Sequence, residues 1–210
     1  MKNKYEILIP DATYHIYNRA NGNDKLFLSD DNYRYFLEKY IEYVSPIADT
    51  FCYCLMPNHF HFLIRIKSEY ELLGFFKSKE KVVYGIKNSE NEPTINLEKL
   101  LSGQFSNFFN GYAKAFNKKH NRLGSLFMHT YKRKKIDNTN YLNKLVLYIH
   151  FNPLEARLCK AFRDWPYSSY NSIISSKETF INRLEVLEWF EDIENFKHVH
   201  LSSPSSSDFE

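Results

Sequence analysis

The chain has 210 residues, of which 43% are hydrophobic and 17% aromatic, and carries a net charge of +3. That is enough apolar material for one sizeable core and too much for a disordered chain. No apolar run reaches the roughly 18 residues of a membrane-spanning helix, and no signal peptide opens the sequence. The cysteines Cys52, Cys54 and Cys159 make neither a paired framework nor a zinc spacing. Cys52 and Cys54 are too close along a strand to bridge and read as reduced core residues, which fits a cytoplasmic protein.

Thr13 to Arg19 alternates and is rich in aromatic and β-branched types, so it reads as a first strand. Ser29-Asp30-Asp31 then starts a helix whose apolar positions Tyr33, Phe36, Leu37, Tyr40, Ile41 and Val44 have helical spacing, ending before Pro46. Asp49 to Met56 and His59 to Lys67 form two strands about a tight Pro57-Asn58 turn. Residues 68 to 103 are less periodic and read as an insertion or mobile arm. Gln104 to His120 carries Phe105, Phe108, Phe109, Tyr112 and Phe116 at helical spacing, and after Gly124 the stretch Ser125 to Ile136 reads as a fourth strand. Asp137 or Asn138 caps a helix running to about Asn152, where Pro153 opens a turn.

Strand, helix, strand, strand, helix, strand is the order of an α+β, ferredoxin-like (βαββαβ) antiparallel sheet with helices on one face. In that topology the first and third strands are neighbours, which places His15, Tyr17 or Arg19 beside His59 and His61. Residues 1–153 form this domain, 154–200 a small C-terminal helical appendage with Leu184, Leu187, Trp189 and Phe190 as apolar anchors, and 201–210 a Ser-rich disordered tail.

Two features point to chemistry. Within Met56-Pro57-Asn58-His59-Phe60-His61-Phe62-Leu63-Ile64, strand alternation sends His59 and His61 to one side and Phe60, Phe62 and Ile64 to the other. Two imidazoles side by side suit one divalent metal, although a bare His-x-His triplet more often serves a structural or surface role. From Lys99 to Ile136 there is no Asp or Glu, while nine Lys and Arg alternate with aromatic residues. Cations among rings are what a phosphate-binding, base-stacking surface requires. On that segment Tyr131, Arg133 and Lys135 share one side of the expected strand and are candidate DNA contacts.

In the last helix Leu142, Leu145, Val146 and Ile149 define the buried stripe, and Tyr148 and Asn152, four residues apart, sit together on its flank. A phenol beside a carboxamide can present a nucleophile and a third ligand to the histidine pair. Periodicity alone favours the plainer reading, that Tyr148 fills an amphipathic boundary and Asn152 ends a helix before proline.

The blocks YHIYNR, YCLMPNHFHFLI, GSLFMHTYKRKK, YLNKLVLYIHFNPLEARL and DWPYSSY resemble, in order and spacing over about residues 10 to 175, the single-tyrosine HUH transposases, in particular the REP-associated tyrosine transposase branch and its insertion-sequence relatives. The resemblance implies that His59 and His61 hold a metal, that Tyr148 is the nucleophile, and that Asn152 is the third ligand. It implies Mg²⁺ or Mn²⁺ as cofactor, and single-stranded or hairpin DNA as the partner that is nicked and rejoined through a 5′-phosphotyrosine. His15, Arg19, Tyr131, Arg133 and Lys135 would contact that DNA. A homodimer and a monomer are equally compatible with it. The long 68–103 segment and the strongly basic HTYKRKK block depart from the family. Two other readings stand beside this one: a domesticated HUH protein that binds structured DNA without cutting it, and a ferredoxin-like RNA-binding module with structural histidines. Metal-dependent nicking separates the first; the second calls for aromatic pairs on the central strands where this chain has His59 and His61.

Overall fold

A computed structural model describes residues 6–79, 95–128, 130–138 and 141–202. Strands β1 (Thr13–Arg19), β2 (Ala48–Met56), β3 (His59–Ile66) and β4 (Lys132–Lys135) form one sheet in the order β2-β3-β1-β4, with every neighbouring pair antiparallel. The fold is α+β and ferredoxin-like.

Helices α1 (Asp30–Tyr43) and α3 (Leu97–Lys119) pack together on one face of the sheet. The contact is aromatic. Phe62 of β3 stacks on Tyr40 at 4.1 Å, and Phe36 lies 5.2 Å from Phe60 and 4.8 Å from Phe108. Burying one such ring contributes about 2 kcal/mol, so the Phe60-x-Phe62 side of β3 commits the strand's orientation and leaves His59 and His61 the other side. Ile41, expected in this stripe, is 43% exposed.

Helix α4 (Leu142–Glu155) covers β2 and β3 on that second face, where its main contacts with the sheet lie. The helix runs on through Pro153 rather than stopping at Asn152, and it begins at Leu142 rather than at Asp137 or Asn138; Asp137 pairs instead with Lys135. Pro153 forfeits one backbone bond within the last turn, which costs little where the helix is about to end. Arg157 then takes a left-handed conformation (φ 57°) and Leu158 N–H donates to Pro153 O, closing the terminus.

The segment read as a mobile arm is helical at both ends. Helix α2 (Glu69–Ser78) follows Ser68 and buries Leu72 and Phe76, and α3 begins at Leu97, well before Gln104. Ser68 and Glu71 form a reciprocal capping box, a signal legible in Ser-x-x-Glu ahead of an apolar run. Residues 80–94 of that expectation lie outside the described residues. The fourth strand is shorter than Ser125–Ile136: an isolated bridge joins Phe127 to Ala20, and regular pairing covers only Lys132–Lys135.

The chain after α4 enters the same core through a 3₁₀ turn (Phe162–Asp164), α5 (Tyr170–Ile174), α6 (Arg183–Trp189) and α7 (Ile193–Ser202). A buried hydrogen-bond chain ties these pieces to α4. His200 Nδ1 donates to Phe196 O (2.8 Å), which leaves His200 Nε2 to accept from His150 Nδ1 (2.9 Å). His150 Nε2 then accepts from Ser169 Oγ (2.9 Å), and Ser169 Oγ accepts the amide of Tyr53 on β2 (2.9 Å). Every donor on this path meets an acceptor, which is what lets three polar side chains sit in an apolar core. Leu201 and Ser202, expected in the disordered tail, belong to α7, and the rest of that expectation, 203–210, lies outside the described residues. Among the described residues no helix is long and apolar enough to cross a membrane.

Candidate active site

The β2–β3 hairpin is held at its tip by the chain before α1. Pro57 O accepts the amides of Leu26 and Phe27, and Asn58 O accepts that of Ala20 at 2.7 Å. This fixes the start of β3, and pairing with β1 sets the register Tyr17↔His61 and Arg19↔His59. The expected adjacency is therefore present: His59, His61, Tyr17 and Arg19 share one face with α4 beside them.

Each histidine is oriented by a neighbour. His59 Nδ1 donates to Asn58 Oδ1 (2.7 Å), so its Nε2 lone pair faces Asn152 Oδ1, 3.5 Å away. Asn152 Nδ2 donates to Tyr148 O (2.8 Å), which turns that carboxamide oxygen inward. With the His59 proton on Nδ1, its Nε2 and Asn152 Oδ1 are two acceptors facing each other, an arrangement that a cation between them would satisfy. His61 Nδ1 lies 2.9 Å from His15 Nε2; with His61 as the donor, its own Nε2 lone pair is free for a ligand.

The electrostatics keep the imidazoles neutral. Burial lowers the pKa of His59 and pushes that of His61 well down, the latter helped by the neighbouring His15 and His59. Burial, and Lys134 nearby, bring His15 to about 4. Neutral imidazoles and an amide oxygen form a donor set that fits a divalent ion, nitrogen and oxygen with no charge of their own. Among the described residues no group of three His, Cys, Asp or Glu is placed to hold a metal; the side-chain oxygen facing the histidine pair is Asn152 Oδ1, 3.5 Å from His59 Nε2.

Tyr148 stands edge-on to this group, its ring 5.6 Å from His61 and 6.2 Å from His15. Burial raises its pKa, with Asn152 opposing. Tyr141, two turns earlier, has Lys134 above its ring. Tyr17 stacks on His15 at 4.8 Å and has the Lys132 ammonium 5.8 Å from its ring. A cleft of about 440 Å³ opens in front of His59 and His61, lined by Tyr17, Asn18, Arg19, Asn58, Met128, Thr130 and Lys132 among others.

Four of the candidate DNA contacts are placed differently from expectation. Tyr131, Arg133 and Lys135 do share a side, but it is the side of α1 and α3: Arg133 pairs opposite Ile16 and Lys135 opposite Tyr14, both core residues. Tyr131 packs on Phe105 and Phe109, and Arg133 stacks on Tyr131. Lys132 and Lys134, opposite Tyr17 and His15, are the ones on the histidine face. The alternation was right and its phase was not, because β4 is four residues long and its partner strand, not its own pattern, decides which face is which. His15 is buried, with its Nε2 2.9 Å from His61 Nδ1. Arg19 is exposed on the histidine face, as expected. Asn58, unflagged in the sequence reading, was recoverable as the polar turn residue adjacent to His59.

No family model and no curated protein matches this chain. Among solved structures it is similar to a REP-associated tyrosine transposase bound to a REP hairpin, with a TM-score of 0.56 and 13% identity, over 84% of this chain and 87% of that one. At that identity the likeness is one of fold.

Proposed function

We propose that this protein is an HUH-type DNA strand transferase, acting in the cytoplasm on single-stranded or hairpin DNA, in which His59, His61 and Asn152 hold Mg²⁺ or Mn²⁺ and Tyr148 is the nucleophile. The observation that carries the reading is the convergence of Nε2 of His59 and Oδ1 of Asn152 beside His61 and Tyr148, on a fold similar to that of a hairpin-bound tyrosine transposase. When bound, the metal supplies charge to a non-bridging oxygen of the scissile phosphodiester, undiminished by its neutral ligands. Tyr148 Oη gives up its proton and attacks phosphorus; the P–O3′ bond breaks, and the leaving oxygen takes a proton to become a 3′-hydroxyl. The phosphotyrosine retains the ester, so attack by another 3′-hydroxyl rejoins DNA without ATP. The raised pKa of Tyr148 means that this proton must be taken up as the attack proceeds.

The test is adduct formation. Wild-type protein mixed with hairpin oligonucleotides bearing single-stranded flanks and Mn²⁺ should yield a covalent species on denaturing gels. Tyr148→Phe should yield none while binding the same DNA within about twofold, since only a hydroxyl is lost. An adduct retained in Tyr148→Phe would refute the assignment, with Tyr141 the rival; binding with no adduct in the wild type would favour the domesticated, non-cleaving protein.

A further inference from the structure

The histidine cleft does not end at β1. A second cleft of about 470 Å³ lies between α3 and the chain leading to β4, and the two share Asn18, Met128 and Thr130 as a common wall. We infer that single-stranded DNA flanking the scissile phosphate leaves the histidine cleft over this saddle and continues along α3, where Lys114 holds a phosphate and Ser106 and Asn110 hydrogen-bond to the strand.

The sequence of α3 builds such a groove. Ser106, Asn110 and Lys114 recur every four residues, so they form one row along the helix, about 12 Å long at ~1.5 Å per residue. At the stacked rise of ~3.4 Å per nucleotide that row spans about three nucleotides. All three are exposed, and none of their side chains makes a hydrogen bond or ion pair with another described residue. Behind them the floor is aromatic: Phe109, Phe127 and Tyr131 retain 9%, 9% and 8% of their surface, each packed against its neighbours. Polar walls over ring edges suit nucleobases and sugars, whereas an apolar peptide would leave Ser106 and Asn110 unpaired.

Charge points the same way. Among the described residues no acidic one lines either cleft, while Arg19, Lys132 and Lys114 mark the path from one to the other. By contrast Lys119, farther along α3, is paired with Asp31. The acid-free run Lys99–Ile136 supplies nearly all of the second cleft, which gives that composition a structural reason.

The groove rests on the strand-transferase reading for where the DNA starts, but its test is separate from cleavage. Fluorescence anisotropy with labelled dT4, dT8 and dT12 is measured on Tyr148→Phe protein, so no covalent product contributes. Affinity should climb with length, and Lys114→Gln/Asn110→Ala should lower dT12 affinity about tenfold while leaving dT4 within twofold. Lys99→Gln, the same charge loss at an exposed site on the same helix outside the groove, should leave dT12 within twofold. Equal losses in the two variants, no binding of dT12 at all, or tighter binding of rU12 than of dT12 would overturn the inference. A wild type that forms no adduct but shows the Lys114 dependence would sink the catalytic reading and leave the groove standing.

Discussion

Neutralising two lysines of β4 tests the phase of that strand directly. Lys132 and Lys134 lie on the histidine face of the sheet, Lys132 lining the cleft itself, each with its ammonium group over a tyrosine ring (5.8 Å to Tyr17, 5.9 Å to Tyr141) and no acidic partner among the described residues. Arg133 and Lys135 face away. Arg133 Nη1 donates to Tyr131 Oη at 3.0 Å, and Lys135 is paired with Asp137 at 2.8 Å. Each phosphate contact on a single strand contributes about 0.7 to the slope of log K against log salt, so losing both lysines should flatten the slope by about 1.4. Between about 50 and 200 mM salt, a fourfold change, that slope difference amounts to about sevenfold in affinity. The measurement is dT12 binding by Lys132→Gln/Lys134→Gln and by Arg133→Gln/Lys135→Gln across a salt series without divalent metal. The first should show the flattened slope, and the second should parallel the wild type. Equal flattening in both, or more in the second, would mean that β4 does not hold this register in solution and that the basic run acts as an arm.

Two further outcomes follow from the buried histidines. His15→Ala removes the partner that orients His61, and should weaken Mn²⁺ binding about 10- to 100-fold, read by calorimetry or Mn²⁺ EPR; an unchanged affinity would show that the His15–His61 bond does not position the ligand. His200 titrates near pH 4 in the folded protein because it is buried, against about 6.5 in the unfolded chain. The unfolded state therefore binds its proton first, and stability present above about pH 6.5 is lost progressively as pH falls toward 4. The melting temperature of His200→Gln should accordingly drop less between pH 7 and 5 than that of the wild type; an identical drop would place the pH sensitivity elsewhere.

Much of the fold was legible in the sequence because it rests on local periodicity. The period-two pattern of His59-Phe60-His61-Phe62 assigned the histidines to one face, the period near four in Phe105–Phe116 assigned a helix, and their order implied the sheet. Tyr148 and Asn152 could be placed together for the same reason, being one helical turn apart. What periodicity could not supply was the contact between elements distant in the chain. Which face of β4 meets the cleft depends on its pairing with β1, 115 residues away at the Lys132↔Tyr17 pair, and a four-residue run of KRKK looks the same in either phase. The orienting bonds His15–His61 and His150–His200 span 46 and 50 residues and join side chains that look, in sequence, like any other histidine. The continuation of α4 through Pro153 was decided in the same way, by packing of Ile149, Phe151 and Pro153 into the core, which outweighs the backbone bond that proline gives up. Residue types and spacing determined which side chains are available for chemistry; the strand pairings and the docking of α4, where burial over many residues outweighs any local preference, determined which of them meet.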